Sequence, residues 1–486
     1  MNRDAKITKF TMLDDYEVQG VWWLPGNKKD ELSGNLYSEG GKICLDILGS
    51  FSEFLDDDTP ECNYIHGFTV KGEEITLIDN FKISERFNMP GIPHQRFAVN
   101  SFIVGGHFTE INQVEFKSVN VASTHLTNWF NRRPFNKEQK LDDESKMISD
   151  TTSFIKPEVN TFYSPYLDAE ISSHYFFKTS GNFVEYMSYL YTESFKITPT
   201  DWKSYEWFEE KIYSLNKLLT LLINEPTHIK KVVFEGDYEN FKTPDGIQIR
   251  KKYHLYFRQR VMEEKKLEPH KMLFTFRDLK ANFEKIMNNW FEREVYLKNA
   301  YNLYFSDFFN RNSDLETKFL NAAQTLEVYH RSQGYGKLFS DEEKDNYLYI
   351  VNEAIDKLVP SEIKDEINKK LKHFNEYSLL KRLKDIVDNL NDDTLSYLFK
   401  SKGKAKSFMS KVVDTRNYLT HYEEKGKGRR FKGIELYHAT NLLKVLSGIQ
   451  LFKELGLEEK VVLNAIKNNH KLVQIIPDSK SELQLT

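Results

Sequence analysis

The hydrophobic pattern of this 486-residue chain changes period once, and no other feature constrains its fold as much. From about Tyr16 to Phe130, apolar residues come in short alternating runs. Over residues 42–48, Ile43, Leu45 and Ile47 alternate with Lys42, Cys44 and Asp46, which sends the two sets to opposite faces of a strand. The Gly40-Gly41 pair before it suits a tight turn, so residues 32–48 read as a hairpin. Comparable runs at 18–24, 65–70, 75–78, 97–104 and 114–121 predict a sandwich or barrel. After about Arg277, apolar residues recur instead at spacings of three and four, which predicts helices over 315–331, 341–358, 361–374, 378–389, 407–422, 433–455 and 458–468.

Between these regions the pattern is mixed. Aromatic strand-like runs occupy 154–195, and the spacing of Phe208, Ile212, Leu215, Leu219 and Leu222 predicts a helix over 202–223, followed by strands at 232–234 and 253–257. The polar stretch 136–146 shows neither period and is expected to be a loop or linker. The expected fold is therefore α+β and multidomain. A β-rich, sandwich-like domain over 1–135 and a mixed β/α second part of the N-terminal region over 147–300 precede an all-α helical-bundle domain over 310–474. The tail after Gln474 is polar and is expected to fray.

Composition removes several function classes. Phe and Tyr, at 36 and 26 residues, supply well-filled cores and argue against disorder. Two cysteines make no disulfide framework, and Cys62 with His66 lacks the second ligand pair of a structural zinc site, so Cys44 and Cys62 read as buried thiols. His66, His94 and His107 lack metal-ligand spacing and read as structural; no metal or cofactor is expected. The start Met1-Asn-Arg-Asp-Ala-Lys6 lacks the apolar segment of a signal peptide, and no long apolar run occurs, so the expectation is a cytoplasmic protein without a membrane partner.

A formal charge of −4 says nothing about nucleic acid. Local charge does. Lys400, Lys402, Lys404, Lys406 and Lys411 precede the segment Asp414-Thr-Arg-Asn-Tyr-Leu-Thr-His-Tyr422, and Lys425, Lys427, Arg429, Arg430 and Lys432 follow it. An anionic polymer is the natural partner, with Lys404, Lys406, Lys411, Lys425, Lys427, Arg429 and Arg430 as candidate RNA-binding residues. Within the segment, Asn417 and His421 lie on one flank of a helix, and the long side chain of Arg416 reaches toward the same phosphate. RNA carries its own nucleophile, the 2′-hydroxyl, so the protein needs only proton transfer and charge stabilisation. His421 is suited to proton transfer near neutrality, Arg416 to a bidentate grip on the phosphate, and Asn417 to orienting the imidazole or donating to a phosphate oxygen. The ordinary alternatives are a helix-end cap for His421, an ion pair with Asp414 for Arg416 and solvated loops for the lysines.

The Arg416, Asn417 and His421 pattern resembles the motif of the HEPN ribonucleases. Residues 319–331, running Phe-Leu-Asn-Ala-Ala-Gln-Thr-Leu-Glu-Val-Tyr-His-Arg, together with Gly20-Val-Trp-Trp-Leu-Pro25 and Leu32-Ser-Gly-Asn-Leu36, extend the likeness over most of the chain to ApeA-type anti-phage proteins. The resemblance implies a C-terminal HEPN endoribonuclease that uses no metal and works in abortive infection, with transfer RNA a first candidate substrate by class analogy. It further implies a phage-derived trigger sensed or relayed by the N-terminal region, and a homodimer that brings two copies of the motif into one cleft. Glu327 and Arg331, with Asp414, are the expected supporting residues, an intrahelical ion pair being the alternative for Glu327 and Arg331. The rival expectation is a non-catalytic HEPN dimerisation or binding module attached to a ligand- or protein-binding β-domain.

Overall fold

The computed structural model describes residues 5–51, 62–87, 90–182, 184–243, 245–260, 266–310, 312–334, 336–371, 373–422 and 430–485. The chain forms two compact units, Met1–Asn288 and Asn289–Thr486. Among the described residues, no helix is long and apolar enough to cross a membrane.

Among the described residues the first unit contains sixteen strands: β1 (Tyr16–Trp23), β2 (Leu32–Glu39), β3 (Lys42–Leu48), β4 (Tyr64–Thr69), β5 (Glu74–Arg86), β6 (His94–Val104), β7 (Glu115–Phe116), β8 (Ser118–Ser123), β9 (Phe135–Leu141), β10 (Met147–Phe154), β11 (Thr161–Ser164), β12 (Ala169–Gly181), β13 (Met187–Pro199), β14 (Lys203–Ser204), β15 (Ile229–Lys242) and β16 (Gln248–Phe257). Twelve of them form one sheet in the order β11-β12-β13-β8-β15-β16-β6-β3-β2-β1-β4-β5, and β5 pairs back onto β6. Of the sandwich and the barrel, the barrel is what forms: β6-β3-β2-β1-β4-β5 closes on itself, and an open sheet continues from it.

β6 makes both structures. Along one side it pairs with β5, from Arg86↔His94 to Ile75↔Val104. On the other side its first half pairs with β3, from Leu48↔His94 to Ile43↔Val99, and its last residues pair with β16, from Phe257↔Ser101 to His254↔Val104. The β2–β3 turn is the expected one, Gly40 and Gly41 both adopting positive φ, at 56° and 77°. Inside the barrel the fully buried Trp22 lies against Gly67, where any Cβ would strike the indole, and its Nε1 donates to the Gly34 carbonyl at 3.2 Å.

Residues 136–146 are not a linker: β9 and β10 pair as a hairpin. Every residue of β9 is exposed, so neither face carries the apolar alternation that marks a half-buried strand. The hairpin is held at its base by aromatic rings, Phe154 stacking on Phe177 at 4.2 Å and Phe135 lying 5.9 Å from Tyr189. Cys44 and Cys62 are unbridged and half-buried, not fully buried. His66 and His107 stack at 4.9 Å, with their Nε2 atoms on the Phe108 and Gly67 carbonyls. The helices of this unit are α1 (Leu126–Phe130), α2 (Tyr205–Ile223) and α3 (Phe276–Leu279).

From α4 (Phe283–Phe309) onward the chain is helical: α5 (Leu315–Ser332), α6 (Asp341–Leu358), α7 (Ser361–Leu371), α8 (Leu379–Asp388), α9 (Asp392–Phe399), α10 (Lys402–His421), α11 (Ile434–Glu454), α12 (Glu459–Asn468) and α13 (Leu472–Glu482). α11 is buried along most of its length and packs on α5 and α13. At its end the buried Glu454 gathers Arg293, the Tyr329 hydroxyl at 2.9 Å and the Gln333 amide at 2.9 Å, so its carboxylate is fully answered. The tail is helical where fraying was expected, because Leu472, Ile476 and Ser479 are buried and the Ser479 hydroxyl meets His438 Nδ1 at 3.0 Å.

Candidate active site

The helix carrying the motif starts earlier than its apolar spacing suggested. Ser401 caps α10, its hydroxyl accepting from Lys404 N at 3.4 Å, and the helix runs through Gly403 to His421. Ala405, Phe408, Met409, Val412, Thr415 and Leu419 form its buried stripe, which faces α8 and α5. Tyr422 ends the helix in the left-handed region at φ 52°, its N–H donating to the Tyr418 carbonyl at 2.6 Å.

The early start places Lys402, Lys404 and Lys406 in the first turns, where the helix dipole disfavours cations. Local partners offset this. Asp388 at the end of α8 pairs with Lys402 at 2.9 Å and Lys406 at 3.1 Å, and Lys404 Nζ donates to the Gln484 carbonyl at 2.6 Å. Burial pushes the Asp388 carboxyl up, but the hydrogen bonds from Lys402 and Lys406 outweigh it and hold the group below its usual range. Lys411 pairs with Glu435 at 3.0 Å and lies 4.5 Å over the Phe431 ring. Three expected RNA-binding lysines, Lys404, Lys406 and Lys411, therefore have protein partners.

The last turns differ. Arg416 is half-buried, and its Nη1 donates to Asn417 Oδ1 at 3.3 Å; no carboxylate pairs with it among the described residues, Asp414 included. Asn417 and His421 are exposed, about 40° apart around the axis, with Arg416 about 140° from His421. The His421 ring makes no hydrogen bond among the described residues, so Asn417 does not orient it within one chain. Phe431 N donates to the Thr415 hydroxyl at 3.0 Å, which returns the chain to α10 and lays the Arg430 guanidinium 3.5 Å over the Tyr418 ring. Arg430 Nε and Nη1 are buried without a hydrogen-bond partner among the described residues. Lys425, Lys427 and Arg429 lie outside the described residues.

On α5, Arg331 bonds Glu327 at 3.1 Å, the expected intrahelical pair, and also reaches Glu376 at 2.8 Å. Beside them is a cluster the sequence did not reveal. His330 and Arg382 are buried, Arg382 Nη1 lying 3.2 Å from His330 Nδ1 while His330 Nε2 lies 2.8 Å from Asp385. Arginine only donates, so Nδ1 accepts, and Nε2 carries the hydrogen that Asp385 receives. Only their adjacency to Arg331 and the Arg382-x-x-Asp385 spacing on α8 hint at the cluster in sequence. Among the described residues, no group of three or more His, Cys, Asp or Glu side chains converges as a metal site.

The model of ApeA N-terminal domain 1 matches residues 17–290, and the model of the Apea-like HEPN domain matches residues 320–461. No curated protein and no solved structure matched the chain. The first match spans the closed barrel and its open extension, and the second spans the helices that carry the paired lysines, the His330 cluster and the exposed end of α10. The chain belongs to the ApeA family of anti-phage defence proteins, and its helical unit carries a HEPN domain of the nuclease type.

Proposed function

We propose that the protein is a metal-independent endoribonuclease whose site is the C-terminal end of α10. The observation that carries this reading is the placement of half-buried Arg416 with exposed Asn417 and His421 at one helix end, where, among the described residues, no carboxylate neutralises the arginine and no bond occupies the imidazole. His421 takes the proton of a ribose 2′-hydroxyl, whose oxygen attacks the adjacent phosphorus. Arg416 holds the phosphate and offsets the charge that builds on it, and Asn417, its Oδ1 already given to Arg416, offers its amide hydrogens to a phosphate oxygen. The 5′-oxygen leaves and is protonated by a second acid, a role that His421 of a second protomer fills in a homodimer built around this helix. The products are a 2′,3′-cyclic phosphate and a 5′-hydroxyl. The N-terminal unit restrains this activity until a phage-derived trigger reaches it, and transfer RNA is the first substrate to try.

The test is to incubate wild-type and His421→Ala protein with total cellular RNA in EDTA and to map the new ends. Cleavage by the wild type alone, leaving cyclic phosphates, is the expected result. Equal cleavage by both proteins removes His421 from the chemistry. If neither protein cuts RNA, even in lysate from infected cells, the helical unit is a dimerisation or binding module.

A further inference from the structure

The N-terminal unit holds a second concentration of cations, remote in sequence from α10. A cavity of about 740 Å³ opens between the end of α1, residues 155–160 and α3. Arg132, Arg133, Lys156, Arg277 and Lys280 line it against a single carboxylate, Glu158. Asn131 produces this by ending α1 in the left-handed region, at φ 50°, which turns the next two arginines out of the helix.

The cations fall into two sets. Arg132 is fixed: its Nη2 donates to Asn160 Oδ1 at 2.6 Å and to Ser173 Oγ at 3.1 Å, its Nη1 faces the fully buried Glu193 at 3.5 Å, and its guanidinium lies 4.6 Å over the Phe130 ring. Phe276 stands beside it, with its ring 6.0 Å away. This is a rigid planar cation on an aromatic floor. Arg133, Lys156 and Arg277 are exposed and have neither hydrogen bond nor ion pair among the described residues, and Lys280 has only an exposed pair with Glu158 at 3.3 Å. Like charges gathered around a concave surface repel one another and focus a positive potential there.

We propose that this cavity binds a free nucleotide, with Arg133, Lys156 and Arg277 taking the phosphates and the Arg132 guanidinium supplying the plane on which the base stacks. The volume of about 740 Å³ favours a compact ligand, since it lies in the range of small-ligand pockets, and the RNA titration below separates a free nucleotide from a polymer. The proposal does not depend on the ribonuclease reading.

Full-length protein is titrated calorimetrically with ATP, GTP, adenosine, pyrophosphate and a short single-stranded RNA. One of the two nucleotides binds and raises the melting temperature, while adenosine and pyrophosphate each bind at least about 10-fold more weakly, because each lacks half of the contacts. The double variant Arg133→Glu/Lys156→Glu melts like the wild type without ligand and loses about 100-fold in affinity, and Arg416→Ala leaves the affinity unchanged. The proposal is overturned if neither nucleotide binds at millimolar concentration, or if pyrophosphate binds as tightly as ATP and GTP. RNA binding more tightly through the same residues, or nucleotide binding that survives the charge reversal, overturns it equally.

Discussion

The two halves of α10 hold their basic residues in opposite ways. In the first half every lysine the sequence had assigned to RNA is answered: Lys406 by Asp388, Lys404 by the Gln484 carbonyl and Lys411 by Glu435. In the second half Arg416, His421 and the neighbouring Arg430 have no carboxylate partner among the described residues. Density of basic residues along the sequence favours the first half, with four lysines against Arg416 and His421 in the second. What separates them is whether the fold supplies an acid, and a solvent-facing cation without one is available to a ligand.

That contrast breaks most sharply under substitution in the second half. Arg416→Ala and His421→Ala are each expected to lower the rate of RNA cleavage at least about 100-fold, with helical circular dichroism unchanged, because both side chains are peripheral to the α10 core. A variant that retains most of the wild-type rate would place the chemistry elsewhere. Next in size is Arg430→Ala, which should weaken RNA binding about tenfold in a filter assay and flatten its salt dependence.

The first half should respond in stability and not in activity. The Asp388 carboxyl titrates below its unfolded value of 3.8, so its contribution is complete above about pH 4 and is lost as the pH falls through the folded value. Asp388→Asn should therefore lower stability by at most about 1 kcal/mol at neutral pH and by less at pH 2.5, as read from urea unfolding. Smallest of all are Lys404→Ala and Lys406→Ala, each expected to change stability by no more than about 0.5 kcal/mol and cleavage by about twofold at most. A large loss of cleavage in either would erase the distinction between the halves.

How much of this was legible in sequence follows from where the information lies. Arg416, Asn417 and His421 are neighbours along one helix, so spacing alone places Asn417 and His421 on one flank of it. The His330, Arg382 and Asp385 cluster joins residues of α5 and α8 and depends on a packing that no periodicity encodes. The alternation of Ile43, Leu45 and Ile47 gave β3, whereas β9 was hidden because a strand exposed on both faces has no alternation to show. α9 and α13 were missed for related reasons. α9 spans Asp392–Phe399, barely two turns, and α13 contains Pro477 and buries a serine where an apolar residue would signal a core. Barrel closure depends on the pairing of β5 with β6, which the strand pattern does not show, and the sequence alone leans to a sandwich-like domain.

The double membership of β6 also bears on how the chain comes to be folded as it is synthesised. All six barrel strands have been made once Val104 is added, so the barrel can close early. At that moment the stretch from Ser101 to Val104 is paired on one side only, and its second partner, Gln248–Phe257, has yet to leave the ribosome. A finished barrel thus presents a short waiting edge, and the rest of the sheet joins it only through β16, the last of its strands in sequence. Premature termination anywhere between these points leaves that edge open to the wrong partner.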